Sequence, residues 1–556
     1  MRTGSGRSRT RISAVALLAS ATMLLAPLAV QANAATGITA TEFSIGLAPE
    51  VTTSPGVPAG FIRLWDMGVA WRDVNPLPNV YQWTVLDQRI AQAEAAGSKV
   101  LYVAGLTPVW AAANPADGDP RWGAGSASAP ADPATYGNFI TALMQRYGGR
   151  ISAVETWNEA NLKTFWTGTP EQMADLTARA NAAIKAVSPG TTVFAASTTT
   201  RLINSVKTFF GPYAAALKAK GFPIDGWTIH TYPAANATPV NRYDAVDAWR
   251  DVLRGAIGAD SPGMSKSVWD TEINYGLAGP GAIPDQDFDG TTGATYVART
   301  YVDSMRQAIS GTFWYLWTAG PYGLVGVQLH NGTTQTIDAY KRVRSWTVST
   351  TMNGCDTTGD LVKCYFTGTE PFIIAMSKSG SPAAWDGNAT LTAQRWDGVD
   401  VTPIGALPLG MGPVKITCGA DKGPCTKGGA AAPAGSTGTP SATTGPAIAI
   451  SNTGTTPVKK RNVFTASGTA TGLAGEQLVA CYVKTPVRPG KKPVTKCLNA
   501  KVSSKLVPPV NAAGAFTFTN RTAMASTPRT AVTLYLRNHA GSVQSNAVTV
   551  PRLTRV

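Results

Sequence analysis

Histidine is scarce in this chain, three in 556 residues, and its six cysteines form no paired CxxC motif. With HExxH also missing, the ligand sets of zinc hydrolases are excluded. Asp285-Gln286-Asp287-Phe288-Asp289-Gly290 resembles the opening of a calcium loop, but its twelfth position is Tyr296 where a bidentate acid belongs. A polar loop bordering a cleft is the better account of that run. Charged residues are few, 15% of the chain, and acids are outnumbered, 33 against 48 Lys and Arg. The basic surplus is local: from Ile448 onward fifteen Lys and Arg face the single Glu476. A field of that sign attracts polyanions. With no aromatic-rich recognition motif for nucleic acid, acidic wall polymers are the expected partner of this segment.

After Val30 no apolar run is long enough to span a bilayer. What precedes it has the plan of a signal peptide: Arg2, Arg7, Arg9 and Arg11, an apolar stretch from Ile12 to Val30, then Ala32-Asn33-Ala34 as the cleavage site. Residues 1–34 are therefore expected to be removed and the rest exported, with no membrane attachment after cleavage. An even number of cysteines in such a chain favours disulfides. Their spacing suggests the local pairs Cys355–Cys364, Cys418–Cys425 and Cys481–Cys497, although spacing alone leaves the connectivity open.

What is present is alternation. Apolar strand-like runs occur at 42–47, 61–66, 99–104, 154–158, 192–196, 226–230, 267–273 and 311–317. Between several of them lie helical spacings, such as Leu86, Ile90 and Ala93, or the stretch from Pro170 to Val187 with Thr169 as N-cap. Strands alternating with helices argue for a parallel sheet, and eight units for a (β/α)8 TIM barrel over residues 35–347. The pattern then changes: 348–426 reads as a small antiparallel β domain on the barrel, 427–447 as a Gly/Ala/Ser/Thr/Pro linker, and 448–556 as an Ig-like β-sandwich.

Two carboxylates follow apolar strands: Glu159 in Trp157-Asn158-Glu159-Ala160-Asn161, and Glu272 in Trp269-Asp270-Thr271-Glu272-Ile273. They lie 113 positions apart, room for three strand-plus-helix units of roughly 35 to 40 residues, so they would end strands four and seven. Barrel chemistry sits at the C-terminal ends of different strands, and a pair of carboxylates across one cleft is what glycosidic cleavage requires. One of the pair must be neutral and the other ionised, and Arg63 at the end of strand two would hold Glu272 in the charged form. Trp65, Trp83, Trp269 and Trp314 read as packing residues.

As an ordered set, Asn158-Glu159, His230-Thr231-Tyr232, Glu272 and Trp317 resemble the clan A retaining glycoside hydrolases. The series Arg63-Leu64-Trp65-Asp66, Trp71, Tyr81-Gln82-Trp83, Leu86-Asp87 and Thr107-Pro108-Val109-Trp110 is similar, more specifically, to family 39 and its bacterial relatives. The resemblance covers roughly residues 41 to 346. It implies a carbohydrate substrate, no cofactor, Glu159 as general acid and base, and Glu272 as nucleophile. It also implies that Asn158 binds the sugar 2-hydroxyl, Tyr232 holds the nucleophile with His230 beside it, Trp317 lies under the sugar, and Trp110 and Trp157 line the cleft. A non-catalytic carbohydrate-binding or wall-adhesion protein, and a transglycosylase, stay open as alternatives.

Overall fold

In a computed structural model the chain is described over residues 36–47, 57–288, 290–317, 323–327, 329, 335–387, 391–401, 409–419 and 425–427, with seven further strands between 447 and 550 described by their backbone. The expected signal peptide and the heart of the expected linker lie outside these residues, as does Asp289 of the calcium-like run. By internal contacts the chain divides into two compact units, residues 1–432 and 433–556.

The first unit contains eight parallel staves: β1 (Phe43–Leu47), β2 (Phe61–Leu64), β3 (Lys99–Val103), β4 (Ala153–Glu155), β5 (Thr192–Phe194, continued by Thr198–Thr199), β6 (Gly226–His230), β7 (Ser267–Ile273) and β8 (Ile309–Trp317). Each pairs with its sequence neighbour, β8 returns to β1, and Phe194 opposite Gly226 joins β5 to β6, so the sheet is a closed barrel. Strand periodicity sorts the side chains into inside and outside. Ile62, Leu64, Val100, Tyr102 and Val154 belong to the large core shared with the surrounding helices. On the inner face Phe61, Leu101, Ala153, Phe194 and Phe313, with half-buried Trp269, form a separate apolar plug. Two residues above Phe61 and Ala153 the inner face turns polar, at Arg63 and Glu155, both buried.

Around the barrel run α1 (Thr84–Ala95), α2 (Ala134–Tyr147), α3 (Pro170–Val187), α4 (Gly211–Ala219), α5 (Pro239–Ile257), α6 (Gly290–Arg306) and α7 (Gln335–Thr347). The start of α3 is the expected one. Thr169 Oγ1 accepts from Gln172 N at 3.2 Å while Gln172 Oε1 accepts from Thr169 N at 2.8 Å, which satisfies two of the amides a helix start leaves free. None of the helices among the described residues is long and apolar enough to cross a membrane.

The strands β9 (Thr351–Thr358), β10 (Leu361–Thr367), β11 (Pro371–Ser377), β12 (Thr392–Arg395), β13 (Asp400–Val401) and β14 (Val414–Thr417) form one antiparallel sheet. The two-residue strand Thr36–Gly37 is added to the β9 edge, in the order Thr36–Gly37, β9, β10, β11, β14, β12, β13. Disulfides Cys355–Cys364 and Cys418–Cys425 close within it. Arg299 of α6, 1% exposed, ties this sheet to the barrel. Its Nη1 donates to Ser377 O (2.6 Å) and Met411 O (3.1 Å), its Nη2 to Lys378 O (3.3 Å), and its Nε to Asp303 Oδ2 (2.5 Å).

The second unit contains β15 (Ala447–Val458), β16 (Arg461–Thr471), β17 (Val479–Lys484), β18 (Val494–Cys497), β19 (Ala515–Asn520), β20 (Val532–Arg537) and β21 (Val548–Val550). They make a three-stranded sheet, β15-β16-β19, and a four-stranded one, β18-β17-β20-β21. Cys481 and Cys497 stand opposite each other in the β17–β18 register.

Removing Arg299 takes a donor from three carbonyls and one of its two cationic partners from Asp303, which keeps only Arg306. Arg299→Ala is expected to destabilise the first unit by about 3–5 kcal/mol, the range for breaking one side of a buried pair. Urea unfolding followed by tryptophan fluorescence measures it, and an unshifted midpoint contradicts this role.

Candidate active site

The polar layer is assembled from strands far apart in sequence. Arg63 on β2 donates through Nη1 to Glu272 Oε1 on β7, and through Nη2 to Glu155 Oε1 on β4 at 2.7 Å and to Asn158 Oδ1 just beyond it at 2.8 Å. Tyr232, after β6, donates its hydroxyl to Glu272 Oε2 at 2.8 Å. Both oxygens of Glu272 are thereby held, one by a cation and one by a phenol.

Glu272 reaches this place through a break in the pleat. Trp269 packs into the plug, while Asp270 points outward to Arg242 of α5, 2.7 Å from its Nη2. Next in line, Thr271 meets His230 at 3.1 Å and Glu272 meets Arg63. Two successive side chains thus enter the interior, because the β6–β7 register shifts between Ile229 and His230.

Glu159 is placed differently. Its φ of 39° is left-handed, a conformation a non-glycine residue holds only under constraint. The constraint is the adjoining β5 loop: the Glu159 N–H donates to Ser197 Oγ at 3.0 Å, Ala160 N to Ser197 O at 2.9 Å, and Ser197 N to Trp157 O at 2.9 Å. The turn lifts the half-buried Glu159 side chain onto the strand-end face opposite Glu272. Between the two carboxylates lies His230, whose Nδ1 is 3.1 Å from Glu159 Oε1 and 3.6 Å from Glu272 Oε2. Neither oxygen is in line for a hydrogen bond from Nδ1, so the attraction is ionic. Those two oxygens are at most about 6.7 Å apart.

Burial opposes charge on Glu272, but His230, Arg63 and the Tyr232 hydroxyl overcome it and hold the carboxyl below its ordinary range. Burial likewise opposes charge on His230, and Glu272 and Glu159 more than compensate, so the imidazole titrates above 6.5. Arg63 also pays desolvation, and Glu155 and Glu272 still raise its titration, so it is always protonated.

The structure thus brings Arg63, Asn158, Glu159, His230, Tyr232 and Glu272 together. Trp317 ends β8 at 5% exposure. Trp110 is half-buried, its Nε1 donating to Asn75 O at 2.9 Å and its ring edge-on to Trp71. Trp157 departs from expectation and does not line a cleft. It is 0% exposed, donates Nε1 to Phe165 O at 2.9 Å and packs on Tyr136 and Trp166. The strand ends at Glu155, and with its alternation broken Thr156 and Trp157 both face the helices before the chain bends back to present Asn158 and Glu159.

Two carboxylates were missed. Glu155 is fully buried, with Oε2 unpartnered among the described residues. Its signal was an acid inside an otherwise apolar strand, which calls for a buried cation. Asp66 lies at the mouth, half-buried but closely ringed by protein, and burial pushes it up to about 6 against the stabilising Tyr315 hydroxyl at 2.5 Å.

If Glu272 holds His230 protonated, Glu272→Gln is expected to lower the His230 titration midpoint. With only two other histidines in the chain, the imidazole signals are readily followed by NMR against pH. An unmoved midpoint contradicts the geometry.

No family model matches the sequence, and no curated protein matches it. Among the solved structures that it resembles is a family 39 β-xylosidase from Caulobacter crescentus (16% identity, 69% of this chain and 98% of that one, TM-score 0.45). Another is the family 39 enzyme of Xanthomonas axonopodis pv. citri (16%, 87% and 95%, 0.44), and a third the family 51 arabinofuranosidase of the same organism (11%, 69% and 98%, 0.44). These neighbours are clan A glycoside hydrolases, family 39 among them.

Proposed function

We propose that this chain is a secreted retaining glycoside hydrolase acting on a polysaccharide or oligosaccharide. The observation that carries the reading is the pair Glu159 and Glu272, at most about 6.7 Å apart across one imidazole. That bound contains the ~5–5.5 Å of retaining enzymes and lies below all but the short end of the ~6.5–9.5 Å that inverting ones need to admit a water.

Environment assigns the roles. Glu272, held ionised, attacks the anomeric carbon as Glu159 gives its proton to the glycosidic oxygen and the leaving group departs. Glu159, now a carboxylate, takes a proton from water. That water attacks the same carbon and releases Glu272, so configuration is retained. Asn158 has given its oxygen to Arg63, which leaves its amide nitrogen to bind the sugar 2-hydroxyl. Trp317 and Trp110 are the proposed stacking surfaces. The ionised Glu272 carboxylate, set against the anomeric carbon, favours the positive charge that develops there.

The Arg2-to-Ala34 segment and two disulfides support export. The two antiparallel sheets of the second unit support the Ig-like reading, and its basic charge supports a hold on acidic wall polymers.

Glu272→Ala is expected to lower kcat on an aryl glycoside by about 10⁴-fold or more, with azide restoring turnover as the glycosyl azide. Full activity in that variant refutes the assignment of Glu272, whereas glycan binding by the wild type with no product released favours a silent binding protein. Deleting residues 448–556 is expected to release the enzyme from cell walls with turnover of a small glycoside unchanged, and undiminished retention rules the anchoring role out.

A further inference from the structure

Arg201 is the unexplained charge on the strand-end face. It follows the second piece of β5, where Thr199 exchanges two 3.0 Å hydrogen bonds with Asn161 of the Glu159 loop, and Thr200 N donates to His230 O at 2.9 Å. Its backbone is thus fixed beside both the Glu159 loop and the end of β6. Its side chain reaches across to the loop after β7, where Nη2 donates to Leu277 O and Ala278 O, each at 3.1 Å.

There the bonding stops. Nε is shielded from solvent with no hydrogen-bond partner, and no carboxylate among the described residues is within ion-pair distance. The hydrogen bonds of Thr199 and Thr200 place it beside the Glu159 loop and the end of β6, and burial lowers its titration while Glu159 and Tyr232 act against that. Every other guanidinium buried near the barrel centre is compensated: Arg63 by Glu155 and Glu272, Arg242 by Asp270. A half-buried cation with an unused N–H is costly unless something supplies the missing acceptor. A neutral hydroxyl satisfies the N–H but leaves the charge unmatched. An anionic group satisfies both.

We propose that Arg201 binds an anionic substituent, a carboxylate or a sulfate ester, on a sugar lodged beside Glu159, so that the substrate is an acidic glycan. This rests on the hydrolase reading above and names its substrate class. Arg201 then determines specificity on the acid/base side of the cleft, while Glu159 and Glu272 do the chemistry. The attraction is local, since the basic surplus of the chain lies beyond Ile448.

Binding to the full chain separates this proposal from the catalytic one. Glucuronate, glucose 6-sulfate and glucose are titrated by ligand-observed NMR into the wild type and the Arg201→Leu and Arg201→Lys variants. At least one anion is expected to bind the wild type about 10-fold more tightly than glucose, the scale of one charge-assisted hydrogen bond. Which of the two does so distinguishes uronate from sulfate. The preference falls to near parity in Arg201→Leu, is partly kept in Arg201→Lys, and shrinks with added salt. Equal binding of all three sugars to the wild type overturns the proposal, as does a preference that survives Arg201→Leu. If Arg201→Leu fails to fold, Arg201→Lys decides, because an unreduced preference there also overturns it. A shifted pH–rate profile with an unchanged preference overturns it too, since Arg201 then only tunes Glu159. Loss of turnover from every glycoside with the anion preference intact sinks the hydrolase reading and leaves this site standing.

Discussion

One buried guanidinium sets the terms for the whole site. Arg63 has almost no solvent contact, and its hydrogen bonds go to Glu272 and to Glu155 and Asn158, two further segments far from it along the chain. Taking such a cation out of water costs several kcal/mol, and only good geometry to its partners offsets that cost. The partners are equally bound: without Arg63, Glu155 has no hydrogen bond at either oxygen among the described residues. Strands β2, β4 and β7 are therefore locked in the one arrangement in which both carboxylates meet the guanidinium. The placement of Glu272, and with it the proposed chemistry, is inherited from that arrangement.

Above the locked layer the groups are held less directly. Glu159 owes its position to a left-handed turn pinned by Ser197, and His230 sits between the carboxylates without a formed hydrogen bond from Nδ1 to either. A rigid anchor for one carboxylate and a half-exposed setting for the other suit a pair in which only the second must gain and lose a proton.

The strands were legible because each alternates between the helices and a packed interior, and the two terminal Glu were legible because each interrupts an apolar run. Less visible was α2, whose buried Tyr136, Phe139, Ile140, Leu143, Met144 and Tyr147 follow helical spacing but are crowded with aromatics and preceded by a long loop. In α5 the buried face includes Arg242, a residue that periodicity counts as exposed. Its partner Asp270 is 28 positions away, and no local pattern links them. Trp157 was misjudged for a related reason: it lies between two Glu, but the chain leaves strand geometry at Glu155, before reaching it. Arg201 carries no signal in the sequence, since its meaning depends on which of its nitrogens the fold leaves idle.

The slip in pairing between β6 and β7 has a further consequence. Because that stave sends Trp269 in, Asp270 out, and then Thr271 and Glu272 both in, adding or deleting one residue within it would trade the plug for the ion pair on the barrel's outer wall. Change of length is barred there, whereas the loops above can grow or shrink without disturbing the charge lock. Variation in length is thus confined to the loops, while the charge-locked layer underneath stays fixed.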